Sequence, residues 1–288
     1  MATVNRTDCG FRLPRPFFVR FFSGLRRPKY RTLGTEFAGV VVDKGASVTA
    51  FDVGDRVFGV NEQFGAHAEF MAIRQDVSIA TMPDHSTFTE MAGVADGGIL
   101  AMTCLDWSGL RAGQRILIYG ASGAIGTSTV QLAKHLGAHV TAVCNTANVA
   151  VVSSLGPDVV IDYTTTDFTA TGETYDVVFD AVGKSSFRTC RHLVRRGGTY
   201  VSSDLGFMWQ NPFLALATLK FAPKQVQMPI PKYTQDKVEA LRALVASGDF
   251  RAVIDRTYPL GDIVEAMRYV ETQQKTGNVL IGVVAEVS

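Results

Sequence analysis

Gly120, Gly123 and Gly126 stand between the apolar run Ile116-Leu117-Ile118 and a stretch from Thr127 in which Val130, Leu132, Ala133 and Leu136 recur at helical spacing. These types predict a buried strand, a tight turn and an amphipathic helix, with Gly137 where a left-handed helix end belongs. Glycine lets the backbone turn sharply and lets a ligand come where a Cβ would block it. The unbonded N–H groups of a helix's first turn attract phosphate. The chemistry that fits is capture of a dinucleotide pyrophosphate by Gly120, Ala121, Ser122, Gly123, Ala124, Ile125 and Gly126. The spacing is GxxGxxG rather than GxGxxG, and a tight turn with no ligand would use the same glycines. The strand before and the helix after favour the ligand.

The elements around this turn continue the pattern. ILIYG, the helix to Gly137, HVTAV, a helix from about Asn148 to Leu155 stopped by Gly156-Pro157, and VVIDY give a βαβαβ rhythm. YDVVFDAVG, a helix near Ser185 to Leu193, the turn RRGG and the strand TYVSS extend it, which predicts an α/β fold with a doubly wound parallel sheet. Residues 34 to 83 read differently: GTEFAGVVVDKG, DVGDRVFGV and AHAEFMAI are short strands between glycine and aspartate turns, the mark of a small antiparallel barrel. Residues 233 to 246 are helical in pattern, and VIDRTYPL, a helix near Asp262 to Tyr269 and NVLIGVV close the chain. The predicted organisation is a β-rich unit (1–92 and 226–288) interrupted by a dinucleotide-binding unit (93–225).

Composition limits the alternatives. The chain has 288 residues, 47% of them apolar and 19% charged, with a formal net charge of +1; that is the balance of an ordinary globular protein. It contains no apolar run near the roughly 20 residues of a membrane span and no signal-peptide core after Met1, so a cytoplasmic location is expected. Cys9, Cys104, Cys144 and Cys190 form no CxxC pair or Cys/His cluster, which predicts four reduced thiols. Arg6, Arg12, Arg15, Arg20, Arg26, Arg27, Lys29 and Arg31 concentrate positive charge near the amino terminus. Nucleic-acid binding is one explanation; arginines snorkelling outward from a segment rich in Phe11, Phe17, Phe18, Phe21 and Phe22 is the simpler one.

VNRTD (4–8), GTEFAGVV (34–41), VGDRVFG (53–59), GAHAEF (65–70), LRAGQRILIYGASGAIG (110–126), VIDY (160–163), YDVVFDAVG (175–183) and KTGNVLI (275–281) occur in one order over nearly the whole chain. In them the sequence resembles the medium-chain dehydrogenase/reductase superfamily, in its zinc-free, quinone-oxidoreductase-like branch. The resemblance implies a GroES-like catalytic domain carrying an inserted Rossmann domain, a nicotinamide cofactor and a homodimer. Zinc-dependent relatives carry cysteine where Asn5 stands and histidine where Thr35 precedes Glu36, so no metal is expected here. The family usually begins some 30 residues earlier, so the expectation is either an incomplete barrel, which would leave an exposed strand edge, or a true start that lies upstream of Met1. Relatives often carry threonine where Leu100 falls.

A carboxylate about 20 residues past the glycine turn would bind the ribose hydroxyls of NAD. Here the second strand ends in Asn145, Thr146 and Asn148 without one, which favours NADP(H), although the same residues make an ordinary polar turn and helix cap. By resemblance Tyr163 flanks the adenosine phosphate. Val182 and Gly183 after Asp180, Ser202 with Ser203 and Asp204, and Asn278 would line the cofactor; strand-end turns account for the first two groups equally well.

Hydride transfer then needs an aligned acceptor and a donor for the developing oxyanion. Asn5 would donate its amide, and Thr7 matches the hydroxyl that relays protons in zinc-dependent relatives. Asp8 and Glu36 are read as structural carboxylates and His67 as a non-catalytic histidine. The apolar segment 205 to 223, with Phe207, Met208 and Trp209, would roof a pocket, contact a partner copy or pack a helix. The expected activity is reduction of a quinone, an α,β-unsaturated carbonyl or a similar carbonyl compound. The rival is a dinucleotide-binding module that senses redox state or serves interaction without turnover.

Overall fold

The computed structural model describes residues 1–13, 20–204, 210–218 and 223–283. In chain order the elements are β1 (Ala2–Val4), α1 (Arg6–Arg12), α2 (Arg20–Ser23), β2 (Glu36–Val40), β3 (Arg56–Val60), β4 (Ser78–Thr81), α3 (Phe88–Met91), α4 (Ala95–Ser108), β5 (Arg115–Tyr119), α5 (Ala124–His135), β6 (His139–Cys144), α6 (Val149–Ser153), β7 (Val159–Asp162), β8 (Tyr175–Asp180), α7 (Phe187–Cys190), β9 (Val194–Ser202), α8 (Gln210–Ala217), β10 (Gln225–Gln227), α9 (Gln235–Ser247), β11 (Ile254–Pro259), α10 (Ile263–Glu271) and β12 (Asn278–Gly282). They fall into two compact units, 1–96 with 233–288, and 97–232.

The first unit is built on a six-stranded sheet in the order β11-β12-β1-β2-β3-β4. β11 and β12 run parallel and the other pairs antiparallel. The edges are therefore β11 and β4. Along β1 the side chains alternate: Ala2 and Val4 enter apolar clusters, while the Thr3 hydroxyl donates to Glu36 Oε2 at 2.9 Å. α10 buries Ala266, Met267 and Val270, one apolar stripe at helical spacing, against Val4, Cys9, Val279 and Ile281.

The second unit carries a six-stranded, wholly parallel sheet, β10-β9-β8-β5-β6-β7. This is the doubly wound order, and it reverses direction between β5 and β8, where open α/β sheets take their ligands. Both faces are covered, so β5 and β8 read as continuous apolar runs rather than alternating ones. Leu117, Val143, Val178, Leu193 and Tyr200 share one core cluster.

Three local expectations need correction. AHAEFMAI forms no strand: Phe64 and Gly65 both take positive φ, and Ala66 and His67 bond back to Gly34 and Leu33 instead of pairing along a sheet. The strand lies later, at β4. RRGG is not a turn between elements but an irregularity inside β9, where the pairing with β8 shifts register and Gly197 takes φ +82°. The helix near Ser185 to Leu193 is reduced to the single turn α7. Of the apolar segment 205 to 223, Phe207, Met208 and Trp209 lie outside the described residues, as do Arg15, Phe17 and Phe18 of the basic arm. Among the described residues no helix is long and apolar enough to cross a membrane.

Candidate functional site

In the second unit the glycine turn joins β5 to α5 at the carboxyl end of the sheet. Gly120 takes φ +79°, and its N–H and that of Ala121 both donate to the Val143 carbonyl, at 3.1 and 3.0 Å, which fastens the turn to the end of β6. A Cβ on Gly126 would lie 2.1 Å from the Gly120 oxygen, so close packing of turn and helix excludes any side chain there. Gly123 is different. It caps α5 with ordinary extended angles and no side-chain bond, and a Cβ added to it would meet nothing nearer than 3.8 Å. Neither backbone strain nor protein packing requires glycine at that position, since an added methyl would make only ordinary van der Waals contact. The first-turn amides of Ala124, Ile125 and Gly126 have no carbonyl to bond within their helix.

Beside this turn, Asp180 organises the loop after β8. Its buried carboxylate accepts from the amides of Val182 (3.1 Å), Gly183 (2.8 Å) and Ser185 (2.9 Å) and from the Tyr200 hydroxyl (3.3 Å). Burial raises the Asp180 pKa and the three amides oppose that shift. The loop so held packs Val182 over Gly120, where a Cβ would come within 2.6 Å of its Cγ1, and sets Gly183 against Asp204. Ser202 is buried and donates to the Asp204 carbonyl at 3.1 Å, closing the turn after β9.

At the ends of β6 and β7, Asn148 donates to Asn145 Oδ1 at 2.6 Å and the Thr146 hydroxyl to Asp162 Oδ2 at 2.6 Å. Tyr163 is exposed, its ring centroid 6.1 Å from that of Tyr119. One end of one sheet thus brings together the glycine turn, Asn145, Thr146, Asn148, Tyr163, Val182, Gly183 and Ser202.

Asn5, Thr7 and Asn278 belong to the other unit. Asn5 is the N-cap of α1: its Oδ1 accepts the Asp8 amide, and Asp8 Oδ2 accepts the Asn5 amide, a reciprocal capping box. Its Nδ2 donates to Thr35 Oγ1 (3.3 Å) and to Asp96 Oδ2 (3.1 Å), so the donor expected for a substrate carbonyl is engaged inside the protein. Thr7 is exposed on α1. Asn278 is buried, its amide shared between the carbonyls of Gly93 (3.1 Å) and Val253 (3.2 Å). These two amides act as internal ties, because each sits within reach of acceptors that burial obliges it to satisfy.

Around Asn5 runs a network of half-buried groups about the buried Glu36 that the sequence did not single out. Asp96 accepts from the Tyr233 hydroxyl at 2.6 Å, and the Asp96 amide donates to Glu36 Oε1 at 2.9 Å. Burial pushes the Glu36 pKa up to about 8, helped by the nearby Asp96 charge, and burial also raises Asp96, against the Tyr233 hydrogen bond and the Lys275 charge. Burial lowers the Lys275 ammonium to about 8. Such a cluster can hold and exchange a proton near neutrality. Asp8 accepts the Gly34 amide at 2.8 Å as well as that of Asn5, His67 Nε2 lies 2.8 Å from the Thr3 carbonyl, and Glu36 Oε2 accepts from the Thr3 hydroxyl. The N-x-x-D spacing of Asn5 and Asp8 was the available signal for α1. Asp96 and Tyr233 are far apart in sequence and left none. Among the described residues no group of three His, Cys, Asp or Glu side chains is placed to hold a metal.

Residues 1–109 match the family described as alcohol dehydrogenase GroES-like domain, and residues 155–281 that described as zinc-binding dehydrogenase. The chain is 30% identical to the NADPH-dependent alkenal/one oxidoreductase, chloroplastic, of Arabidopsis thaliana, over 86% of this chain and 63% of that protein. It is 30% identical to the chloroplast envelope quinone oxidoreductase homolog of Arabidopsis thaliana, over 93% of this chain and 82% of that one. A solved alcohol dehydrogenase superfamily protein from Novosphingobium aromaticivorans shares its fold with a TM-score of 0.82 and 26% identity, over 99% of this chain and 89% of the other.

Proposed function

The chain belongs to the medium-chain dehydrogenase/reductase superfamily, in its quinone-oxidoreductase-like branch, and from that premise we propose an NADP(H)-dependent oxidoreductase that passes hydride to a quinone, an α,β-unsaturated carbonyl or a similar carbonyl compound. One observation carries this most directly. Gly123 caps a twelve-residue helix although a Cβ there would meet the protein only at ordinary van der Waals distance, a choice that protein packing does not explain and a close-lying phosphate does. Gly120 to Gly126 would hold the pyrophosphate; Val182, Gly183 and Ser202 would line the site beside it, and Asn145, Thr146, Asn148 and Tyr163 the adenosine end. The names of the two Arabidopsis relatives support both the cofactor and the acceptor class. A bound nicotinamide supplies the hydride.

Zinc does not fit. The positions that carry cysteine and histidine in zinc-dependent relatives present the Asn5 amide nitrogen and the Thr35 hydroxyl, which are already bonded to each other, and the nearby carboxylates of Asp8 and Asp96 are engaged by hydrogen bonds within the protein. Tetrahedral zinc sites are built from thiolate, imidazole and carboxylate groups. The residues of this unit therefore serve reduction by hydrogen bonding: Asn5 orients Thr35, whose hydroxyl hydrogen is left to donate, and Asp96, Tyr233, Glu36 and Lys275 hold the proton that must follow the hydride. Thr7 remains the candidate relay at the surface. A homodimer is part of the proposal, supported by Phe213 and Leu216, exposed on α8 beside the edge strand β10. A cytoplasmic location completes it.

Fluorescence titration of the purified protein with NADPH and NADH, followed by turnover assays on quinones, enones and aldehydes, tests the proposal. Binding and turnover are expected; absence of binding by either cofactor defeats it. The engagement of Asn5 and Asn278 inside the protein favours a second reading, a dinucleotide-binding module without turnover, and binding with no turnover across the panel would establish that one instead.

A further inference from the structure

The ends of β6 and β7 carry a feature that the sequence order conceals. The stretch after β6 holds no acidic side chain, yet the parallel pairing sets Cys144 opposite Asp162, so the neighbouring strand brings a carboxylate to the same place. Thr146 Oγ1 lies 2.6 Å from Asp162 Oδ2 and 2.7 Å from Thr164 Oγ1, while Asp162 Oδ1 accepts the Thr164 amide at 2.9 Å and its hydroxyl at 2.7 Å. The Thr146 and Thr164 hydroxyls and the Thr164 amide hold Asp162 below the usual carboxylate range, without help from a cation. Thr146 has one hydrogen, and it is spent on this cluster.

In a doubly wound sheet the end of the second strand receives the adenosine ribose. A 2′-phosphate there brings nearly two negative charges to face an ionised carboxylate and a hydroxyl with no hydrogen to give. A free 2′-hydroxyl would instead find a carboxylate acceptor.

We propose that Asp162 is a specificity-determining residue: it discriminates against the 2′-phosphate and keeps this protein's preference for NADPH over NADH narrow. The inference rests on the functional reading above and deepens it at the adenosine end. Thr146 is the positioning residue that fixes the carboxylate.

The test is the pair of dissociation constants for NADPH and NADH, from fluorescence titration of the full chain and of Asp162→Asn, which keeps an acceptor for Thr164 and removes the charge. NADPH is expected to bind the variant about tenfold more tightly, the size of the repulsion between these charges several ångströms apart in water-like surroundings, with NADH weakened or unchanged. The gain should shrink as salt is raised. Asp162→Thr provides a second neutral variant, and circular dichroism reports whether each is folded. An NADPH-to-NADH ratio unmoved in the folded variants overturns the inference while leaving the functional reading intact. Failure of the unaltered protein to bind either cofactor overturns both.

Discussion

Two helices of this protein begin directly after a strand and end their first turns in opposite ways. α1 follows β1 and is closed by the protein itself: Asn5 and Asp8 bond each other's amides, and Asp8 lies buried with a further bond from Gly34. α5 follows the turn after β5 and is capped by a glycine that gives nothing. Its first turn contains Ala124, Ile125 and Gly126 and no acidic residue. An N-terminus that a carboxylate has already neutralised is a structural joint. One left open, with small residues around it, is prepared for an anion from outside.

The contrast breaks most sharply at Gly126. Gly126→Ala forces a Cβ onto the Gly120 carbonyl, and we expect about 100-fold weaker NADPH binding together with about 2 kcal/mol or more of lost stability, read by fluorescence titration and urea unfolding. On the other side, Asp8→Ala strands the Asn5 and Gly34 amides; unfolding should become easier by about 2 kcal/mol, with NADPH affinity unaltered. A drop in affinity equal to that of the Gly126 variant would show that the two termini are not functionally distinct. Gly123→Ala sharpens the comparison, since the methyl fits the protein without a clash but would crowd a phosphate lying on the turn: about tenfold weaker NADPH binding is expected, with stability changed by less than about 1 kcal/mol.

The smallest effect is electrostatic. Glu36 keeps its proton in the folded protein up to about pH 8, whereas the ordinary value is 4.5. The folded state therefore holds more protons than the unfolded state between these limits. Its contribution to stability is complete below about pH 4.5 and is lost as pH rises toward 8, at about 1 kcal/mol per pH unit or less. Glu36→Gln should flatten that slope in denaturant midpoints measured at pH 5, 6.5 and 8; an unchanged slope would place the titration elsewhere in the network.

Much of the second unit was legible because its signals are local. Apolar runs bounded by glycine, and a helix whose stripe repeats within twelve residues, fix β5, the turn and α5 from neighbours in sequence. The first unit was less so. AHAEFMAI has strand-like alternation, but Phe64 and Gly65 turn the chain so that Ala66 and His67 bond to Gly34 and Leu33, partners some 30 residues away. The motif makes Asn5 a candidate donor to a substrate carbonyl, and it takes the packing to show Asp96 and Thr35 against its amide. Asp162 was visible in VIDY, but not as a neighbour of Thr146.

By itself the sequence determined the alternation of strands and helices, the glycine turn and its open helix end, and the absence of cysteine and histidine from the Asn5 and Thr35 positions, because each of these depends on residue type and short spacing. The tertiary structure decided which amides are already spent and which carboxylates meet. Hydrogen bonds and charges act across a few ångströms of space, and the packing of elements can bring residues 16 or 91 positions apart to that distance.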